Sequence, residues 1–449
     1  MVKNIKVLTV AILILCCSGP AFAQEEDGGF GFGLNIGIGA QTFDGTTYQS
    51  LKLSPDISFG KFGIGLELTM NYQFAPDFTV RQEDWWPTGD DTFLDVYLPK
   101  FKYIRYGFKG EPLYVKFGSI EDALLGNGFI IGGYDNTLFL PEKRIFGLSF
   151  DLDGTLFNFP YVGIETFVGN LAQFDVMGIR TYVRPLAFTD VPIINGLQVG
   201  GTLALDRKPN LYIGDDSIDP VTLFGADLTL PILTKPMLSL TTFADIAFLY
   251  NNLGPGNTGK GEMVGVGGRL ARVITYGAQI RVLGEDFIPT YFDVGYDLFR
   301  ADKYKIVNKI SPFTTGIDPY FGWLGSLGFA FLDDALIFKA TLDGPFSQPG
   351  GGNPDNYLDW PHLYAVFILG EGIVPNLSLE ASWDKRSLGA QDGFFRDLIA
   401  NWKDDTVLGA RVNYSIGAAV ISVVYQVTYD PVTGDPVTKS GIESAIQLF

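Results

Sequence analysis

Histidine and cysteine often carry acid–base, nucleophilic or metal chemistry, and this 449-residue sequence holds few of them. Its one histidine is His362, in the stretch "WPHLY". A single histidine cannot form the clusters typical of zinc sites. A catalytic dyad would need a nucleophile beside it, and no spacing in the sequence identifies one. We therefore expect no catalytic residue, no metal and no cofactor, and a structural role for His362; a hydrolase is the alternative.

Both cysteines lie near the N-terminus, in an apolar stretch with the features of a secretory signal. Two lysines precede "VLTVAILILCC", which is too short to span a bilayer, and "AFA" before Gln24 is a small-x-small cleavage site. A lipid anchor on Cys16 or Cys17 is the alternative, but neither follows the small residue that such a signal needs. We expect residues 1–23 to be a signal peptide and residues 24–449 one mature domain without cysteine or disulfide.

Composition limits the partners of the mature chain. Removing Lys3 and Lys6 from the 32 basic residues leaves 30 against 50 acidic ones, a formal charge of −20 that repels nucleic acid. Hydrophobic residues make up 47% and charged residues 18%, yet no apolar run after the signal is long enough for a membrane helix. With 55 glycines and 14% aromatic residues, the composition indicates an exported β-rich protein that contacts lipid.

Two glycine-rich stretches, "GFGFGLNIGIG" and "GVGG", invite comparison with nucleotide-binding loops. A dinucleotide loop needs a strand, the spacing Gly-x-Gly-x-x-Gly and a following helix, and neither stretch has the spacing or the helix. Glycines that face a crowded lumen or a strand bend are the better interpretation.

The strongest pattern is period-two alternation from end to end. In "FGIGLELTMNY" one face holds Phe62, Ile64, Leu66, Leu68, Met70 and Tyr72, and the other holds polar or very small residues. The same split recurs in "IFGLSFDLD", "YFDVGYDLF", "LSLEASWD" and "LGARVNYSI". A soluble sandwich of this length would divide into several domains, but no linker divides this chain. The pattern predicts an all-β fold, a single transmembrane antiparallel β-barrel.

Connection lengths support the barrel, because such barrels have short periplasmic turns and longer outer loops. The predicted outer loops are 44–49, 75–91, 119–142, 206–220, 251–261, 285–288, 311–318, 344–358, 385–405 and 431–438, with a short one at "LAQ", 171–173. This assignment makes "KYKIVNKI", 303–310, a strand. It gives about twenty-two strands, with eighteen or twenty as alternatives, and no plug domain before the first strand.

The chain ends on "SGIESAIQLF", which we interpret as the strand that closes the barrel against the first one, since an open edge cannot lie in lipid. In its signal, its alternation and its terminal Phe449, the chain resembles the outer-membrane β-barrel (porin-like) proteins of diderm bacteria. The resemblance implies that Phe449 is an assembly signal read by the barrel-assembly machinery. It also implies an outer-membrane location with both termini periplasmic. Gln447 and Glu443 depart from the apolar positions that the family pattern would continue.

Charged residues on the polar faces of the predicted strands are the candidates for the pore lumen. They are Glu67, Lys100, Lys102, Lys116, Asp151, Glu165, Asp227, Asp245, Arg281, Asp293, Asp297, Lys303, Lys305, Lys339, Glu380 and Arg411. Such charges either pair and keep the wall hydrated or set a selectivity field. Because acidic candidates outnumber basic ones on the clearest strands, we predict a weak cation preference, reduced by Asp293→Asn and Asp297→Asn.

Loop 119–142, "IEDALLGNGFIIGGYDNTLFLPEK", is the most apolar of the long loops. A loop above a membrane has little reason to carry so many apolar residues unless it packs on something. We expect it to fold inward as a constriction, with Asn127, Phe129, Tyr134 and Asp135 as candidate residues. An extra hairpin or a contact between protomers is the alternative.

Polar residues on every inward face would favour a water-filled interior. The leading hypothesis is therefore a porin, not an enzyme, that passes ions and small hydrophilic solutes passively. The alternatives are a surface-binding protein or adhesin that uses the long loops, and an outer-membrane hydrolase. A homo-oligomer is possible, and neither the solute nor the oligomeric state follows from the sequence.

Overall fold

In the computed structural model the chain forms a closed barrel. The structure describes residues 30–43, 46–75, 77–89, 91–140, 143–213, 219–235, 237–250, 258–332, 335–349, 352–353, 356–399, 405–417, 419–429 and 435–447. The predicted signal peptide 1–23 and the predicted assembly signal Phe449 lie outside these residues.

The described residues contain twenty-four strands. They are β1 (Phe30–Phe43), β2 (Thr46–Phe59), β3 (Phe62–Leu66), β4 (Leu68–Gln73), β5 (Thr79–Val80), β6 (Phe101–Tyr106), β7 (Leu113–Gly118), β8 (Ala123–Leu124), β9 (Gly132–Tyr134), β10 (Gly147–Asp153), β11 (Val162–Val168), β12 (Val176–Val183), β13 (Gln198–Asp206), β14 (Val221–Lys235), β15 (Leu238–Tyr250), β16 (Thr258–Leu270), β17 (Ile274–Leu283), β18 (Tyr320–Phe331), β19 (Leu336–Pro345), β20 (His362–Val374), β21 (Leu377–Lys385), β22 (Thr406–Ile416), β23 (Ala419–Tyr429) and β24 (Pro436–Gln447).

The barrel wall has twenty strands among the described residues. Strands β3 and β4 are two parts of one wall strand interrupted at Glu67, because both pair with β2. The short β5 pairs only with β4, and β8 and β9 form a separate hairpin. All wall pairings are antiparallel, and β1 pairs with β24 to close the barrel, from Asn35 opposite Gln447 to Ala40 opposite Ile442. The single antiparallel barrel is confirmed, and the strand number matches the alternative of twenty, not the favoured number of about twenty-two.

The count differs because loop 284–319 is one long connection that contains a helix. Its helix α2 (Tyr296–Val307) replaces the predicted strand 303–310 and part of "YFDVGYDLF". Ten of its twelve residues are buried, so protein surrounds it on nearly every side. Lys305 lies in the last turn, where its charge complements the helix dipole. A helix buried all round does not show the one-sided pattern that usually identifies one.

Two other α-helices lie in loops at the long-loop end, α1 (Phe93–Tyr97) and α3 (Phe394–Ile399). Thr92 and Asp95 form a capping box that fixes the start of α1. Among the described residues, no helix is both long enough and apolar enough to cross a membrane.

Alternation places one set of side chains outside the barrel and the other in the lumen. On β16, Gly261, Met263 and Gly265 are buried, and the intervening Val264 and Val266 are exposed. Residues opposite one another on paired strands share a face, so this parity carries around the wall. At closure, Ile442 is 63% exposed, and its neighbour Glu443 forms an ion pair with Lys52 at 3.0 Å inside the barrel.

Candidate functional site

Two loops from distant parts of the chain meet inside the barrel and form what we call the plug, residues 119–140, 143–146 and 284–319. They join through a parallel β-bridge between Ile131 and Phe292. The backbone N–H of Thr290 donates to the carbonyl of Phe129 at 2.7 Å, and that of Phe292 donates to the carbonyl of Ile130 at 3.1 Å. Because these bonds link the loop backbones directly, the two segments form one body.

The plug packs on the wall through a large apolar cluster. Its wall members are Phe167, Val176, Ala204, Val221, Leu223, Ala247, Leu249, Met263 and Leu283. Its plug members include Phe129, Ile131, Phe287, Phe292 and Ile306, which are almost completely buried. Burying each such side chain contributes about 1.5–3 kcal/mol. The expectation of polar residues on every inward face is therefore wrong for β11–β17, where most inward residues near the long loops are apolar.

Arg300 of α2 is buried and holds the plug to the wall through carboxylates. Its guanidinium lies 2.8 Å from Asp175 and 2.7 Å from Asp206, and 3.6 Å from Asp297 of its own helix. The hydroxyl of Tyr296 also donates to Asp206, at 2.6 Å. One cation cannot neutralise three buried carboxylates. Burial raises the pKa of Asp297 to about 8, although Arg300 opposes the rise, and Asp175 and Asp206 add to it.

A second set of charged residues links the plug to strands β17–β21. Basic and acidic side chains alternate along this series of contacts. Lys303 contacts Asp293 at 2.9 Å, Asp293 contacts Arg386 at 3.1 Å, and Arg386 contacts Asp384 at 3.5 Å. Burial raises the pKa of Asp293, but Arg386 and Lys303 outweigh it and hold this pKa below its usual range. Burial lowers the pKa of Lys303 to about 8, although Asp293 opposes the change.

His362 continues this set. Its Nε2 lies 2.9 Å from Asp384 and its Nδ1 lies 3.3 Å from Asp343, which in turn contacts Arg281 at 3.1 Å. A general base needs one free ring nitrogen to accept a proton from a nucleophile. With a carboxylate on each nitrogen, His362 acts as a structural link, which argues against the hydrolase alternative.

The tip of loop 119–142 rests on predicted lumen residues. The Asn127 amide donates to Asp245 at 2.7 Å, and the Thr229 hydroxyl donates to the Asn127 carbonyl oxygen at 2.9 Å. Nearby, Arg180 contacts Asp227 at 2.6 Å and Glu165 at 3.0 Å. The structure thus brings the wall residues Glu165, Asp227 and Asp245 together beneath Asn127 of the plug.

The other candidates of loop 119–142 lie within the plug. Phe129 packs against Phe287 with ring centroids 5.4 Å apart. The Tyr134 hydroxyl donates to Asp297 at 3.2 Å. Asp135 accepts from the backbone N–H of Thr137, and burial raises its pKa to about 7.

Four predicted lumen residues are not on the wall at all. Asp293, Asp297, Lys303 and Lys305 belong to loop 284–319, where Lys305 pairs with Asp302 at 3.6 Å. Asp293 and Asp297 belong to "YFDVGYDLF" and Lys303 and Lys305 to "KYKIVNKI", two stretches predicted as strands that form a loop and a helix.

Lys100 and Lys102, predicted on the polar face of a strand, lie around the start of β6 (Phe101–Tyr106). Lys100 precedes β6, where its amine donates to the Asp84 carbonyl at 2.7 Å and lies 4.4 Å above the Trp85 ring. Lys102 is the extra residue of a β-bulge between Phe101 and Tyr103.

The remaining lumen candidates lie on inward positions of the wall. Glu67 accepts from Arg144 at 2.7 Å, and Asp151 pairs with Lys109 at 2.8 Å. Lys116 lies opposite Ser149, Lys339 opposite Gly328, and Glu380 opposite Arg411. Arg281 joins Asp343, as described above.

Beside the plug a cavity of about 530 Å³ remains open. The wall residues around it come from β1, β2, β4, β23 and β24, which we call the open sector. Its charged lining residues are Lys52, Glu67, Arg81, Glu83, Asp84, Asp91, Asp95, Lys100, Lys143, Arg144 and Lys439. Sequence reasoning found only Glu67 and Lys100 of these, because most of the others lie in loops without periodicity.

No family model matches the chain, and no curated protein matches it. Among solved structures it is similar to CdiB from Acinetobacter baumannii, with 7% identity and a TM-score of 0.28 over 93% of this chain; the match spans 60% of CdiB. It is also similar to Pseudomonas aeruginosa OpdL, with 9% identity and a TM-score of 0.33 over 95% of this chain and 100% of that one. A third match is Pseudomonas aeruginosa OpdK with vanillate, with 9% identity and a TM-score of 0.34 over 94% and 99% of the two chains.

Similarity at this level gives no information about substrate. The resemblance to outer-membrane β-barrel proteins is confirmed at the level of architecture, by a closed antiparallel wall with an apolar outer face.

Proposed function

We propose that the protein is an outer-membrane porin that admits ions and small hydrophilic solutes through the open sector of its lumen. The plug fills the sector of β11–β17 near the long loops, which we call the filled sector. The open cavity lies beside β1, β2, β4, β23 and β24, and we place the solute path there. The inward residues there include Gln41, Lys52, Thr69 and Asn71, all polar.

The cavity in this sector is the observation that carries the proposal. Its volume of about 530 Å³ is that of a site for a small molecule. Its lining carries charges of both signs, which keeps water in the cavity and discourages apolar ligands. Lys52 bridges the wall here, with Glu443 at 3.0 Å and Glu67 at 3.9 Å.

Reconstitution of the refolded protein in planar bilayers tests the proposal. We expect discrete, ohmic conductance steps, and we expect liposomes that contain the protein to swell in small sugars. Folded barrels without any conductance would reject the porin proposal and favour the adhesin alternative.

We further propose that the short-turn end, with both chain ends, faces the periplasm. Gln391 is an exposed residue of a long loop, and Lys109 is an exposed residue of a short turn. On intact cells, Gln391→Cys should react with an impermeant thiol reagent and Lys109→Cys should not. The reverse labelling would invert the orientation. Assembly by the barrel-assembly machinery and a homo-oligomeric state remain predictions.

A further inference from the structure

Two turns at the short-turn end carry exposed apolar side chains. Turn 154–161 joins β10 to β11, and turn 184–197 joins β12 to β13. Their exposed large apolar residues are Leu156, Phe157, Phe159, Phe188, Val191, Ile193 and Ile194. Phe157 and Phe188 are 67% and 69% exposed. A contiguous apolar surface of this kind indicates an interaction site.

This surface is continuous with the outer face of the wall. Val162 lies opposite Val183, and Val183 lies opposite Val199, so the three form one row across the base of β11–β13. All three are exposed, and their parity places them outside the barrel. The apolar face that contacts lipid therefore runs without interruption down to the two turns.

Few charges interrupt the surface. Turn 154–161 contains no charged residue, and turn 184–197 contains only Arg184 and Asp190. Arg184 is directed away from bulk water, because its guanidinium lies 2.6 Å from Asp153 and donates to the Pro160 carbonyl at 3.1 Å.

The wall is short above these turns. Strands β10, β11, β12 and β13 have 7, 7, 8 and 9 residues, whereas β14 has 15 and β15 has 13. At about 3.3 Å per residue and a tilt of about 40°, eight residues give a wall roughly 20 Å tall. The apolar band of such barrels is about 25 Å tall. The strands alone leave this side of the barrel too short for the membrane.

Turn 184–197 also covers a strand edge. Pairing between β13 and β14 ends at Gln198 opposite Thr229, while β14 continues to Lys235 with only β15 beside it. Pro231 lies in this segment and has no N–H to leave unpaired. Gly196 packs so closely on it that an added Cβ would lie 2.6 Å from Pro231 Cγ. Because an open strand edge is not tolerated in lipid, such a cover is needed at membrane depth.

We propose that turns 154–161 and 184–197 bind the acyl chains of the lipid leaflet at the short-turn end and complete the apolar band. Lipid is the occupant because the surface extends the lipid-facing row of valines and supplies the missing height.

Depth-dependent quenching tests the proposal, and the mature chain without cysteine permits single labels. A fluorophore that responds to polarity is attached to Phe157→Cys or Phe188→Cys in reconstituted vesicles, with Lys109→Cys as the matched control on a polar short turn. Asn195→Cys replaces an exposed polar residue of turn 184–197 and keeps every apolar side chain, in case Phe188→Cys fails to refold.

We expect labels at positions 157, 188 and 195 to lose most of their emission with spin-labelled acyl chains and to resist aqueous iodide, while the label at position 109 behaves in the opposite way. Iodide quenching at all positions would overturn the proposal. Labels that are shielded from both quenchers, together with dimers in detergent, would assign the surface to a second copy and would overturn it too.

Discussion

The filled and open sectors of the lumen follow the same alternation but differ in what the inward positions hold. In the filled sector, Val221, Leu223 and Leu249 face the plug and are almost completely buried. In the open sector, Gln41, Lys52 and Thr69 line a cavity. The polarity of the inward-facing residues therefore indicates what lies against each part of the wall. Apolar inward residues indicate a wall that is covered by protein, and polar inward residues indicate a wall that is open to water.

The largest expected effect comes from breaking the ionic contact that holds the plug to the filled sector. Arg300→Met keeps most of the volume but leaves Asp175 and Asp206 buried without their cation. Removing one partner of a buried ion pair costs about 3–5 kcal/mol. We expect hydrogen exchange of amides in α2 to accelerate strongly and single-channel currents to become larger and noisier.

Lys305→Met is the matched control for Arg300→Met. It lies on the same helix, but its pair with Asp302 is partly exposed, and such pairs contribute about 0–1 kcal/mol. Unchanged hydrogen exchange in Arg300→Met would show that the apolar cluster alone holds the plug. Equally accelerated exchange in both variants would indicate that the helix itself is lost, and not only its contact with the wall.

A smaller effect is expected from pH, again in the filled sector. The raised pKa of Asp297, about 8, means that the folded plug binds a proton that the unfolded segment releases near pH 4. The stability that this proton contributes is therefore complete below about pH 4 and is lost progressively as pH rises to about 8.

Melting of the plug should occur at a lower temperature at pH 8.5 than at pH 6, and Asp297→Asn should reduce this difference. The lowered pKa of Lys303, about 8, makes the plug more stable as pH rises further, because the unfolded segment then binds a proton that the folded plug has lost. The comparison is therefore kept below pH 9. A plug that becomes more stable between pH 6 and pH 8.5 would contradict the buried, protonated state of Asp297.

The smallest effect concerns ion selectivity and separates the two sectors. Lys143 is exposed at the cavity of the open sector, so Lys143→Gln should shift the zero-current potential toward cations at low salt. Asp297→Asn should leave it unchanged, because this carboxyl group is buried in the plug and neutral at pH 7. This revises the cation preference expected from Asp293 and Asp297 as wall residues. A shift in Asp297→Asn alone would restore that interpretation.

The wall was predictable from the sequence because lipid on one side and water on the other enforce period two. The closing strand was predictable for the same reason, since an open edge is not tolerated in lipid. Loop 284–319 was not, because Phe292, Tyr296 and Leu298 alternate by coincidence and α2 is buried all round. The inward apolar residues Val221 and Leu223 carried a signal: a strand that is apolar on both faces is covered on both.

The partners of Arg300 could not be predicted at all. Asp175 and Asp206 lie 125 and 94 positions away in the sequence, at the long-loop ends of β12 and β13. No local pattern connects them to a helix that enters the lumen from another loop. The residues that line the cavity could not be predicted for the same reason, because Arg144 and Lys143 come from a loop and Lys52 comes from the wall.

The route of solutes through the open sector is tested most directly by blocking each sector in turn. Thr69 lines the cavity on β4, and Ala247 is buried beneath the plug on β15. Thr69→Cys and Ala247→Cys are each reconstituted in planar bilayers and treated with a bulky hydrophilic thiol reagent. The proposed route predicts that the reagent sharply reduces the conductance of Thr69→Cys and leaves that of Ala247→Cys unchanged. Block of Ala247→Cys, with Thr69→Cys reacting but conducting normally, would place the path through the filled sector and contradict it.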